Sequence, residues 1–307
     1  MTERFLVTGV LGCLGAWVAR TALEDGADVI GYDLGEDTGR LRLVLGDDAE
    51  RITLVRGDIT DIEQLERTLD EHEVTHVVHL AALQVPFVRA NPSLGMRVNV
   101  AGTVNVFEAA ASRTSIRGLA YASSTAVYNR HDPSPAAESG GTAPGTLYGV
   151  SKLADEGIAR VYADERGVGS IGLRPYVVYG PGRDQGMTSG PTEAMRAAVA
   201  GEPYTVAFTG RAQFDFAPDV AHAFLMAARA ETEAAAVHNF PGERASVEEV
   251  VAAIRAVVPD AAITFTGEPL PFPAELESVG FERDVGPLRR TPLADGIRAT
   301  IVHFRLG

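Results

Sequence analysis

Lysine is almost absent from this chain: Lys152 is the only one, and every other basic residue is arginine. Where a lysine survives such avoidance, an arginine was unacceptable, because the two differ in bulk, planarity and acidity. Cysteine is equally scarce. Cys13 stands alone, which excludes an internal disulfide framework and any cysteine-based zinc site and fits a reducing compartment. No run approaches the ~18 consecutive apolar residues of a membrane helix. Positive charge is short as well, 27 Lys and Arg against 41 Asp and Glu, a net −14. That balance repels nucleic acid and reads as a solvated acidic surface. The opening Met-Thr-Glu-Arg-Phe lacks the basic start and apolar core of a signal peptide, so the expected location is the cytoplasm.

What is present is ordinary for a globular enzyme: 307 residues, 46% apolar and 22% charged, enough for one large or two modest domains. The first half alternates short apolar runs with helical patterns, as βαβ units do. Strands are expected at Phe5–Thr8, Asp28–Tyr32, Ile52–Arg56, His76–Leu80, Gly118–Ser123 and Ser170–Leu173. Long helices are expected near Met96–Ser112 and Leu147–Arg166, with a surface loop over Asn129–Gly145 between them. The fold class is therefore α/β, a doubly wound parallel Rossmann sheet. After Arg174 the chain turns Pro- and Gly-rich, and a smaller C-terminal α/β lobe is expected. The division is 1–174 for the dinucleotide domain with the catalytic residues and 175–307 for the substrate lobe, with segments free to cross.

The first strand runs directly into Thr8-Gly9-Val10-Leu11-Gly12-Cys13-Leu14-Gly15 and a helix. Glycines at a strand-to-helix turn let backbone approach a pyrophosphate, whose charge the helix N-terminus holds. The second strand ends on Asp33, about 20 residues past the glycines, where a carboxylate binds ribose hydroxyls and repels a 2′-phosphate. NAD is thus favoured over NADP, although Arg40 and Arg42 lie close enough in sequence to bind that phosphate. Asp58-Ile59 after the third strand and Leu80-Ala81-Ala82 after the fourth lie where a dinucleotide would run. His79 reads as a packed histidine at a strand end.

Tyr148 and Lys152 are four residues apart, hence on one helix face. A phenol of pKa ~10 is a poor base at neutral pH, and a neighbouring ammonium stabilises its phenolate. Upstream, Ser123, Ser124 and Thr125 put hydroxyls at the C-terminal end of a strand, the edge that faces the ligand crevice of such sheets.

Taken together, these segments resemble the extended short-chain dehydrogenase/reductase family, which includes nucleotide-sugar epimerases and dehydratases. The similarity rests on Thr8–Gly15, Asp33, Gly57-Asp58, Ala81-Ala82, Asn99, Ser123–Tyr128, Tyr148-x-x-x-Lys152, and Arg174-Pro175 leading into Val178–Gly182. It implies Ser124, Tyr148 and Lys152 as catalytic residues. It implies NAD contacts from Gly9, Leu11, Gly12, Gly15, Asp33, Asp58, Ile59, Leu80, Ala81, Ala82, Asn99, Tyr148, Lys152, Tyr176 and Val178. Asn99 is expected in the first long helix, supporting Lys152 through water. The family's dimer through the two long helices implies a homodimer here, with apolar Val98, Val106, Val150 and Leu153 available.

Departures from the family narrow the chemistry. Dehydratases carry carboxylates beside the catalytic hydroxyl, whereas this chain has Ser124-Thr125-Ala126. Sugar-nucleotide enzymes hold the diphosphate with an asparagine near Val177 and an arginine near Gln213. Two missing charge-assisted contacts, ~1.5 to 3 kcal/mol each, weaken such binding ~100-fold or more, although Arg211 is nearby to compensate. The expected function is therefore NAD-dependent hydride transfer to or from a secondary alcohol or ketone of a sugar, sugar acid or hydroxy acid. A nucleotide-sugar 4-epimerase is the alternative. Ser124, Thr125, Tyr148, Gln84, Tyr176, Arg183 and Gln213 are nominated to meet the substrate, with Arg183 suited to a carboxylate.

Overall fold

The computed structural model describes residues 2–306. Twelve strands occur in it: β1 Arg4–Thr8, β2 Asp28–Asp33, β3 Thr53–Arg56, β4 His76–His79, β5 Gly118–Ala122, β6 Ser170–Arg174, β7 Val177–Tyr179, β8 Tyr204–Val206, β9 Arg211–Phe216, β10 Ala235–Asn239, β11 Glu243–Ser246 and β12 Ile263–Phe265. Seven form one parallel sheet in the order β10-β6-β5-β4-β1-β2-β3. The order reverses between β1 and β4, the switch point where a doubly wound sheet opens its ligand crevice.

The central strands read as continuous apolar runs because helices cover both faces. Phe5, Leu6, Val7 and Val78 are wholly buried, each worth roughly 1.5–3 kcal/mol of transfer free energy. The helix Leu147–Arg166 has the bounds expected of it. Thr146 caps its start, Oγ1 accepting from Gly149 N at 3.0 Å, and Gly167 ends it in the left-handed conformation at φ 67°. The other long helix is interrupted. It runs Pro92–Met96, passes through a π turn at Arg97–Ala101, and resumes at Gly102–Ala111. Apolar periodicity carries no sign of one extra residue per turn, and such turns gather at functional sites.

Two expectations need correction here. Val106, proposed for a dimer face, is buried in the core of the first lobe, because its side of the helix packs beneath the sheet. The Asn129–Gly145 stretch is more than a surface loop. Ala136 bridges to Leu276, and the Glu138 carboxylate accepts from Asn239 N (3.1 Å) and Gly280 N (3.0 Å), so the loop stitches the two lobes together.

The second lobe pairs β7, β9 and β11 in one small sheet and β8 with β12 in another. Between them the chain returns to the first lobe. The helix Ala217–Arg229 packs on the helix Cys13–Glu24, and β10 adds an outer strand beside β6. Among the described residues no helix is long and apolar enough to cross a membrane.

Candidate active site

A cavity of about 690 Å³ opens at the C-terminal ends of the main-sheet strands, with the second lobe as its far wall. At one end lies the glycine loop. Gly9 adopts φ +71°, and a Cβ there would stand 2.8 Å from Ala81 N; one on Gly15 would stand 2.2 Å from Gly9 O. Neither position accepts a side chain, so the loop lies flat against the end of β4. Gly12 heads the following helix with no side-chain cap of its own. These are the features a pyrophosphate requires: bare backbone and an uncapped helix start. The second lobe reaches this loop too. Pro181 O accepts from Trp17 Nε1 at 2.9 Å and from the Cys13 thiol at 3.7 Å.

Asp33 sits at the tip of β2, its two oxygens accepting from Leu11 N and Gly35 N, both at 3.0 Å. Arg40 lines the same end of the cavity but is closed against Asp184, with Nε and Nη2 each 2.9 Å from Oδ1. Arg42 is exposed and does not line the cavity. The charge facing the ribose end is therefore that of Asp33, which suits a diol and not a 2′-phosphate.

At the other end the three hydroxyls after β5 divide their work. Ser123 donates to Glu156, which is also bound by Arg174. Thr125 donates to Pro175 O at 3.1 Å and is buried, so the structure places its proton away from any substrate. Ser124 lines the cavity; its Oγ accepts from Ala126 N at 3.1 Å, and among the described residues its proton has no acceptor. Tyr148 and Lys152 enter the cavity from the helix opposite. The Lys152 ammonium is 3% exposed and lies 3.1 Å from Asp155 Oδ2. Burial opposes its charge, yet Asp155 and then Tyr148 outweigh that penalty and hold it above the usual lysine value. His79, bonded to Thr8 (2.8 Å) and Thr103 (3.1 Å), is pushed down to about 3 by burial and then by the Lys152 charge, so it stays neutral.

Arg183 and Gln84 stand together on the cavity wall. The guanidinium reaches Gln84 Oε1 at 3.4 Å and Thr188 Oγ1 at 3.2 Å, while its buried Nε has no partner. Among the described residues no carboxylate lies within 4.0 Å of it to form a salt bridge. Burial lowers its pKa.

The sequence of residues 5–240 matches the model of the NAD-dependent epimerase/dehydratase family. The chain belongs to that family. It is an enzyme of the extended short-chain type, and its cofactor is NAD. UDP-glucuronate 4-epimerase 4 of Arabidopsis thaliana is 37% identical over 183 residues, 57% of this chain and 42% of that protein. UDP-glucuronate 4-epimerase 1 of the same plant is 32% identical over 223 residues, covering 70% of this chain and 51% of that one. The matched stretches thus span about half the length of these relatives. Among solved structures, UDP-glucose 4-epimerase from Thermus thermophilus in complex with NAD superposes with a TM-score of 0.81 at 26% identity, covering 99% of both chains. MoeE5 in complex with UDP-glucuronic acid and NAD gives 0.80 at 26%, also over 99% of both. A partial-consensus L-threonine 3-dehydrogenase reaches 0.87 at 22% identity over 99% of this chain and all of that one, a likeness of fold.

Within this family member, the expected cofactor residues other than Asn99 all line the cavity. Asn99 does not. It sits in the π turn with its amide bound to Leu83 N (2.8 Å), Leu83 O (3.0 Å) and Ser151 Oγ (3.1 Å), which ties down the segment after β4. Gln213 is also misplaced by the sequence reading. It is buried in β9, accepting from Leu276 N at 2.8 Å, because its strand position faces the core of the second lobe and not the cavity. Val177 is wholly buried, and Arg211 is exposed beside Glu249. Asp184 and Phe272 are among the lining residues that escaped the sequence. Asp184 was hidden by its neighbour Arg183, and Phe272, stacked edge-on to Tyr176 at 5.9 Å, signalled itself only as an aromatic between Pro271 and Pro273.

Proposed function

We propose that this enzyme moves a hydride between NAD and a secondary alcohol or ketone of a small polar substrate that carries a carboxylate, a sugar acid or hydroxy acid. The observation that carries this reading is Arg183. A guanidinium at the cavity wall, with an unpartnered Nε and no carboxylate at salt-bridge distance, is a ready fork for an anionic group. When bound, the nicotinamide supplies the two-electron chemistry. The chain's own residues handle the proton: Tyr148 as phenolate takes it from the carbinol oxygen, Ser124 Oγ donates a hydrogen bond to that oxygen, and the Lys152 charge favours the phenolate.

The second reading, a nucleotide-sugar 4-epimerase, is favoured by the names of the relatives, several of which act on UDP-glucuronate, itself a sugar acid. It asks for cations to hold a diphosphate, for which the cavity offers Arg183 itself and Arg97 but not the family's usual positions. Gln213 and Val177 are in the core, and Arg211 faces Glu249 outside the cavity. The preferred reading also takes the enzyme to be a cytoplasmic homodimer. A free cysteine and the apolar Leu147, Val150 and Val161, exposed along one helix, support this.

The test is NADH formation from NAD with a panel of sugar acids, hydroxy acids, aldoses and polyols, beside calorimetric titration with UDP-sugars. Turnover confined to the acids supports the proposal. Tight UDP-sugar binding with no net NADH from any free substrate replaces it with the epimerase.

A further inference from the structure

Lys152 has a second partner, which the proton chemistry above does not use. One turn along the same helix, Asp155 Oδ2 lies 3.1 Å from Nζ, and the two side chains are 3% and 1% exposed. Removing both charges from water costs several kcal/mol per ion, so a buried pair of this kind is weak support for stability. Nor does a wider network explain the carboxylate. Asp155 Oδ1 accepts no hydrogen bond among the described residues, although Thr103 on the facing helix favours its charge.

We propose that Asp155 is a positioning residue for the reaction, the counter-charge that keeps Lys152 protonated and fixed at the cavity wall in a place water hardly reaches. The proposal rests on the reading of Tyr148 and Lys152 as the proton-handling pair.

The surroundings leave Asp155 alone in this role. On the same helix, Tyr148 lies on the cavity side, and Glu156 is bound to Arg174 of β6 at 2.7 Å and to Ser123. From β4, His79 faces the pair neutral, and from β5 Tyr121 does so with its ionisation pushed well up by burial. Among the described residues no other carboxylate lies within 4.0 Å of the ammonium. Asp155 itself is pushed up to about 6 by burial, with Lys152 opposing, so its charge is in place at neutral pH.

Because Lys152 is the only lysine, the protein grown on lysine labelled with ¹³C at Cε gives a single lysine side-chain resonance, and its titration needs no substrate. In the wild type that resonance should stay in its ammonium position past the ordinary lysine range of ~10.4. In Asp155→Asn the acid dissociation constant of Lys152 should rise at least ~10-fold, one pH unit, and Asp155→Glu should recover most of the loss. NADH affinity adds a readout that a merely structural role would not split by pH. Asp155→Asn should match the wild type at pH 6, where Lys152 is charged in both, and fall behind at pH 9.

Identical Lys152 midpoints in wild type and Asp155→Asn would overturn the proposal. Should that variant fail to fold, a wild-type midpoint below ~10 overturns it equally. A normal Asp155 effect in a protein that oxidises none of the acids instead sinks the proposed reaction and leaves the ion pair standing.

Discussion

Arg40 and Asp184 meet across the cofactor end of the cavity, Nε lying 2.9 and 3.1 Å from the two carboxylate oxygens. The contact joins the segment after β2 to the segment after β7. It occupies the one lining arginine at that end that is near enough in sequence to Asp33 to read a 2′-phosphate.

A change in cofactor preference follows. Asp184→Asn frees Arg40, and NADPH affinity should rise ~10-fold, equivalent to about 1.4 kcal/mol, while NADH affinity changes little. Fluorescence titration with both reduced cofactors measures it. Unchanged NADPH affinity would show that Asp33, and not the engaged arginine, sets the preference alone.

Loss of the phenol should cost chemistry and not binding. Tyr148→Phe keeps the ring in the cavity and should lower kcat by ~10²- to 10⁴-fold with NAD affinity retained. A variant that keeps near-full turnover removes Tyr148 from the proton path.

Arg183 should distinguish anionic from neutral substrates. Arg183→Met removes a charge-assisted contact worth ~1.5–3 kcal/mol, so KM for a carboxylate substrate should rise ~10- to 150-fold. KM for the corresponding neutral alcohol should not follow. If both rise together, the guanidinium is bracing Gln84 and Thr188 and not holding the substrate.

Asp215 should make stability fall with pH. It is wholly buried, its Oδ1 has no hydrogen bond, and burial pushes it up to about 8, only partly offset by the Tyr176 N–H. Below ~4 both folded and unfolded chains hold the proton. Between ~4 and about 8 the unfolded chain releases it while the folded chain keeps it, so each step up in pH favours unfolding across that window. Asp215→Asn should flatten the decline in Tm between pH 5 and 9. Parallel Tm curves for the two proteins would count against this account.

The fold was legible because a parallel sheet buried on both faces writes its strands as apolar runs, and glycine, Asp33 and the Tyr148/Lys152 spacing mark where those strands end. Ser124 could be separated from Ser123 and Thr125 by the family pattern, and the structure gives the physical reason: Ser124 alone of the three has an uncommitted proton. Gln213 was misread because strand alternation fixes a facing only once register is known, and β9 turns that residue inward. The π turn that carries Asn99 leaves no mark on apolar periodicity. Phe272 lies about 260 residues from the glycine loop that shares its cavity. No local pattern spans that distance.

Burial has also silenced most of what could titrate in alkali. Seven of the eight tyrosines are raised by it, Tyr32 and Tyr162 to about 12, and the Cys13 thiol goes to about 12 as well. The sole lysine is held charged, and arginines do not ionise in this range. The molecule therefore keeps its positive charge into alkali, where a lysine-rich protein would lose its own.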